Sequence, residues 1–232
     1  NVQNLGTTTA TVQVQYITLD GTVTYSYNDS IAAKGAAAYN TTNQGTLSAE
    51  TYNALVAALG TNWRGTVKVA CSNGQPLAGV CYYRVPSTGI LDEDIFNATP
   101  ASQATSDALI FPLAYRRIID SSNRIYSTAM VANTTSTAGT VTVQFYNPDG
   151  SQRGSNYTVN IAARGMVRLN LYQGIELPSQ ALTDLGTAFT GSMVVRPSSG
   201  LAIVGVNYLY WNDPGVLAYD KRLAAYAGLT AP

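Results

Sequence analysis

One set of residue blocks occurs twice in the chain, in the same order, and that duplication limits what the chain can fold into. Val12, Val14 and Tyr16 recur as Val141, Val143 and Phe145, each set alternating with Thr or Gln. Asp20-Gly21 returns as Asp149-Gly150, and Ile31-Ala32-Ala33-Lys34-Gly35 as Ile161-Ala162-Ala163-Arg164-Gly165. Leu59-Gly60-Thr61-Asn62-Trp63-Arg64-Gly65 returns as Leu185-Gly186-Thr187-Ala188-Phe189-Thr190-Gly191, and Gly79-Val80 as Gly205-Val206. The spacing drifts by only a few residues, as small loop insertions would produce.

Within each copy the apolar residues alternate with polar ones over short runs bounded by Gly, Asn, Asp and Pro, the pattern of half-buried strands. Strands are expected near 11–18, 22–28, 30–39, 65–71 and 77–84 in the first copy. In the second they are expected near 109–115, 126–132, 140–147, 155–161, 165–171, 191–196 and 201–210. About seven short strands per copy predict an all-β protein of two tandem immunoglobulin-like β-sandwich domains. The domains are residues 1–100 and 101–232. Each carries one short helix in a loop. Ala49–Leu59 follows Ser48 as N-cap and stops at Gly60, and the counterpart at 178–186 is shorter. Trp63 and Phe189, which follow these helices, read as core residues rather than binding aromatics.

The copies differ at their start. Two apolar strands, Leu109 to Ala114 and Tyr126 to Val131, precede the Val141 strand, whereas only Asn1 to Asn4 precedes the Val12 strand. Domain 1 is therefore expected to lack its first strand and part of its second, leaving an acceptor edge around Val2, Val12, Val14 and Tyr16. The tail beyond Trp211 carries Leu223, Ala225, Ala227 and Leu229 in alternation and has no evident place in its own strand set. It is the expected donor for head-to-tail addition between copies. An upstream trim of the sequence explains the same gap, since Asn1 is not an initiator Met.

Composition bears on partners and compartment. Charged residues make up only 11%, and thirteen basic residues balance thirteen acidic ones. No field draws the chain to nucleic acid, and no apolar run reaches the roughly 18 residues of a membrane span. Cys71 and Cys81 are the only two cysteines. Asn73-Gly74 and Pro76 between them mark a turn, so a hairpin disulfide is expected, stabilising by roughly 2–3 kcal/mol. It would place the protein outside the cytoplasm, and two free thiols in a reducing compartment are the alternative.

Catalytic chemistry is hard to assemble. The chain has no His, which removes Ser-His-Asp, Cys-His and His-bearing metal sites. Asp92-Glu93-Asp94 is a weak Ca²⁺ candidate between the domains, read rather as a solvated acidic loop. The remaining carboxylates sit beside Gly or Asn like turn formers. No enzyme and no cofactor is expected. Sequons at Asn28, Asn40, Asn97, Asn133 and Asn156 are candidate glycan acceptors. Sixteen Tyr and two Trp, among them Tyr208, Tyr210 and Trp211, leave open a carbohydrate-binding surface.

The unit VxN…(T/A)TVxVxxY…DG…IAA(K/R)G…LG…(W/F)xG(T/S)VxV…(L/I)xGV resembles the tandem Ig-like repeats of large secreted proteins of environmental, often filamentous, bacteria. In such repeats an apolar strand with a central Pro precedes the VxN strand. ALIFPLAYRR at 108–117 fits that pattern. By architecture the chain also resembles donor-strand-linked, pilus-like fibre subunits. These resemblances imply a structural, extracellular or cell-surface protein, partnered by copies of itself and by covalent glycans. The competing expectation is a carbohydrate-binding or adhesive module of a larger surface protein.

Overall fold

The computed structural model describes every residue except 62, 88, 89, 122, 213–221, 231 and 232, with the side chains of 82–97 and 211–226 also outside the described set. Its regular structure is mostly β. In chain order the elements are β1 (Val2–Asn4), β2 (Ala10–Thr18), β3 (Val23–Ile31), β4 (Ala36–Ala37), α1 (Ala49–Leu59), β5 (Gly65–Cys71), β6 (Leu77–Ser87) and β7 (Ile90–Asn97). They continue as β8 (Leu109–Ile118), β9 (Arg124–Asn133), β10 (Gly139–Tyr146), β11 (Gln152–Ile161), β12 (Met166–Asn170), α2 (Ser179–Leu185), β13 (Ala188–Pro197), β14 (Ile203–Asn212), β15 (Arg222–Ala227) and β16 (Leu229–Thr230).

The chain divides into two compact units, Asn1–Cys81 and Tyr82–Pro232. The division falls earlier than the expected boundary at residue 100. The far half of β6 and all of β7 cluster with the second unit's strands, where β7 lies beside β15. Asp92, Glu93 and Asp94 thus lie on a strand, β7, instead of a solvated loop.

Strand order repeats the duplication. The first copy forms one sheet ordered β3-β2-β5 and another ordered β4-β1-β6-β7. The second runs β11-β10-β13-β8-β9-β14-β15, with β12 also on β9 and β16 on β8. Strand for strand, β2, β3 and β5 answer to β10, β11 and β13, and β1, β4 and β6 to β9, β12 and β14. The two halves of the nine-stranded sheet share one core. Phe111, Val143, Phe145, Met193 and Val195 from one half meet Val131, Leu169 and Ile203 from the other.

Local chemistry explains the repeated elements. Ser48 Oγ accepts from Thr51 N at 3.1 Å to start α1, and Gly60, at φ 66°, closes it by donating to Val56 O. Gly186, at φ 68°, closes α2 in the same way. Beyond each helix an aromatic ring enters the core edge-on: Trp63 against Tyr16 at 5.7 Å, and Phe189 against Phe145 at 5.8 Å. The Asn of each VxN block is buried and clamps a loop. Asn4 Nδ2 donates to the carbonyls of Thr8, Ile31 and Ala32. Asn133 Nδ2 donates to those of Thr137 and Ala162.

Candidate functional site

The copies part company beside β5. In the second unit β13 has β10 on one side and β8 on the other, and Phe111, Ile110 and Leu109 stand opposite Met193, Val194 and Val195. Among the described residues of the first unit, β5 pairs with β2 alone. Lys68 stands where β13 has Val194.

Side chains register the same difference. On β8, Leu109, Phe111 and Ala114 are buried, and beneath them Met193 and Val195 are completely covered. Val67, in the position of Met193, is 41% exposed. Val69, Val2 and Leu77 are only partly buried, whereas their counterparts Val195, Val131 and Ile203 are fully buried. These four residues are less covered than their counterparts in the second unit. Gly205 shows how closely a covering strand approaches: a Cβ there would lie 2.8 Å from Leu109 Cδ2 and 3.0 Å from Phe111 Cζ. The first copy retains a glycine, Gly79, at that place.

Polar contacts anchor β8 as well. Tyr115 N donates to Ser127 Oγ at 3.0 Å, and Asn207 Nδ2 donates to Leu113 O at 3.0 Å. The Arg116 guanidinium donates to the carbonyls of Leu171, Tyr172 and Gly186. Burial of this guanidinium lowers its pKa. Cys81 holds the position of Asn207 in the first copy and is exposed.

The expected acceptor residues sit elsewhere than at an edge. β2 runs between β3 and β5, so Val12, Val14 and Tyr16 belong to a central strand and are buried. β1 runs between β4 and β6, so Val2 also lies on a central strand. In the second unit β8 borders β13, a strand distant in sequence, and a strand-by-strand match of Val67 and Val69 with Met193 and Val195 carries the difference in cover.

The expected donor tail is also placed differently. Leu223, Ala225 and Ala227 lie on β15, paired with Tyr210, Tyr208 and Val206 of β14, and Leu229 on β16 pairs with Ile110 of β8. The tail therefore belongs to its own unit's sheet. The hairpin disulfide fails for a similar reason. β5 and β6 belong to different sheets, with the turn at Asn73-Gly74 carrying the chain from one to the other. Both thiols are free, and Cys71 Sγ instead contacts Asn73 Oδ1 at 3.0 Å.

Among the sequons, Asn28 on β3 and Asn156 on β11 are exposed. Asn133 is buried with its amide committed to Thr137 and Ala162, so this acceptor expectation is withdrawn. Asn40 is half-buried, and its oxygen accepts from Thr42 in a tight turn. The Asn97 side chain lies outside the described residues, as do those of Asp92, Glu93, Asp94 and Trp211. Among the described residues, no group of three His, Cys, Asp or Glu could hold a metal ion, and no helix is long and apolar enough to cross a membrane.

A second aromatic feature escaped the sequence pattern because it joins separate segments. Tyr126 stacks on Tyr172 at 5.1 Å and on Tyr210 at 5.2 Å, and the Arg124 guanidinium lies 4.4 Å from the Tyr172 ring. Burial raises the pKa of Tyr126, an effect partly offset by the Arg124 charge. Tyr126 has a ring on each face, and Tyr208 is buried. Comparison of the chain with protein-family models, curated proteins and solved structures returns no match.

Proposed function

We propose that this chain is a non-enzymatic structural subunit of an extracellular filament or surface layer. In this reading its two copies are immunoglobulin-like sandwiches, and successive subunits associate by strand complementation. The observation that carries the reading is the partly exposed apolar row of Val67 and Val69 on β5, set against a twin whose equivalent residues, Met193 and Val195, are covered by β8. Strand addition to a sheet edge combines backbone hydrogen bonds for affinity with side-chain pockets for specificity. The low-charge surface supports an assembled component, and the exposed Asn28 and Asn156 are the sequons best placed for covalent glycans. The carbohydrate-binding alternative needs free aromatic faces, and the Tyr172-Tyr126-Tyr210 stack engages its rings internally.

Negative-stain electron microscopy of the chain and of its Val67→Glu variant tests the assembly. The exposed position lets the variant fold while placing a charge in the apolar row of β5. Filaments or sheets formed by the parent and lost in the variant support the reading. Dispersed particles in both samples overturn it.

A further inference from the structure

Three tyrosines from separate segments meet in one stack on the second unit. Tyr126 on β9 stands directly opposite Tyr210 on β14, with ring centroids 5.2 Å apart and planes 18° from parallel. Tyr172, from the turn after β12, lies on the other face of Tyr126 at 5.1 Å and 29°. All three are half-buried, so solvent reaches them while the sheet holds them in place. We infer that Tyr126 and Tyr210 form an oxidative modification site, where a haem peroxidase supplied with hydrogen peroxide joins the two rings as a dityrosine. The bond lies within one chain, so neither its presence nor its absence bears on the assembly of subunits.

The chemistry balances. Each phenol gives up one electron and its hydroxyl proton to become a tyrosyl radical. The two radicals pair their electrons in a carbon–carbon bond between ring positions ortho to the oxygens. The hydrogen on each joined carbon then moves to the phenol oxygen and restores both aromatic rings. Two electrons and two protons leave in all, and one hydrogen peroxide takes them up as two waters.

Register favours this pair over the others. Opposite positions on neighbouring antiparallel strands hold their Cβ atoms about 4.5–5.5 Å apart and carry both side chains on one face of the sheet. The ortho carbons of Tyr126 and Tyr210 therefore stand at the same height, and rotation of the rings closes the bond with the backbone register kept. Such positioning raises the effective concentration of one ring at the other by orders of magnitude, so coupling within a chain outruns coupling between chains. Tyr172 is held differently. Its hydroxyl accepts from Arg124 Nη1 at 3.1 Å, and that guanidinium lies 4.4 Å from its ring centroid. A cation so placed opposes removal of an electron from the Tyr172 ring. The same charge eases loss of the Tyr126 proton, which burial resists. On the first unit the Tyr16–Tyr27, Tyr25–Tyr27 and Tyr27–Tyr39 centroids are 6.5, 5.8 and 6.2 Å apart. Burial and neighbouring groups all raise the pKa of Tyr27 and Tyr39, so these wider pairs also hold their protons harder.

The test treats the full chain, at low protein concentration, with a haem peroxidase and hydrogen peroxide. The thiols of Cys71 and Cys81 are free and would consume oxidant, so N-ethylmaleimide blocks them beforehand. The expected product is a single chain with blue dityrosine fluorescence and a mass lower by two hydrogen atoms. Tryptic digestion should yield the peptide that begins at Ile125 joined to the one that carries Tyr210. Phenylalanine keeps the ring and lacks the phenol, so Tyr126→Phe and Tyr210→Phe preserve the packing. Each is expected to lower the fluorescence of the single-chain product about tenfold, while Tyr172→Phe leaves it in place.

Fluorescence that survives Tyr210→Phe but falls in Tyr172→Phe places the bond on the opposite face of Tyr126 and overturns the inference. A product unchanged in both Tyr126→Phe and Tyr210→Phe overturns it, as does one found only in linked chains and growing with protein concentration. No product at all, under conditions that couple N-acetyltyrosinamide, overturns it as well.

Discussion

Buried Asn4 and Asn133 show how much a single amide does in each copy. Asn133 Nδ2 closes the loops carrying Thr137 and Ala162, while Oδ1 accepts from Thr135 N and Oγ1. Truncation strands several of these partners out of water, and each buried orphan costs about 1–3 kcal/mol. Asn133→Ala is therefore expected to lower stability by about 3 kcal/mol, read as a shift of the urea midpoint at unchanged slope. Asp184 gives a pH-dependent counterpart. Its carboxylate accepts from Tyr157 Oη at 2.5 Å and from Gln180 Nε2 at 2.7 Å, and these bonds lower its pKa below the ordinary 3.8. A depressed carboxylate stabilises the fold in full above the ordinary value, and that contribution fades as pH falls through the lower folded value. Between about pH 5 and about pH 2 the parent should lose more stability than Asp184→Asn. Parallel urea curves for the two proteins would remove this role for the Tyr157 bond.

At the scale of elements, Gly65 on β5 and Gly191 on β13 hold the same position in the two copies. A Cβ on either would overlap a backbone carbonyl, of Ile17 in one case and of Tyr146 in the other. Backbone cannot yield as a side-chain tip can, so Gly191→Ala is expected to destabilise the second unit by about 3 kcal/mol. Differential scanning calorimetry should show only that unit's transition moving, and Gly65→Ala should move only the other. Elements set by local chemistry were legible in the chain. Ser48, Gly60 and the apolar spacing between them mark α1, and the alternation of Val141, Val143 and Phe145 marks β10. What local pattern misses is adjacency. Asn73-Gly74 suits a hairpin turn and a crossing between sheets equally well, so the Cys71–Cys81 pairing was not decidable from spacing. β15 escaped because its place is set by β14, and β7 because its acidic run resembles a loop. That β8 borders β13 likewise depends on sheet order and not on local pattern.

At the scale of the whole molecule, the described residues of the two units are unequally covered. The second has a core closed by β8, whereas the first leaves Val67 in solvent and its neighbours half-covered. Apolar surface left in water forgoes about 25 cal/mol per Å². Thermal unfolding of the full chain is expected to show two transitions, with the Asn1–Cys81 unit melting first. Residue-resolved hydrogen exchange would assign them, and a single cooperative transition would contradict the difference in cover.

The strand β8 also has a mechanical meaning. It is hydrogen-bonded along β13, and its last residues, Arg116–Ile118, pair with Arg124–Tyr126 of β9, so one strand is sewn to both halves of the core. Under tension applied along the chain, such a suture must be ripped out before the two halves can part.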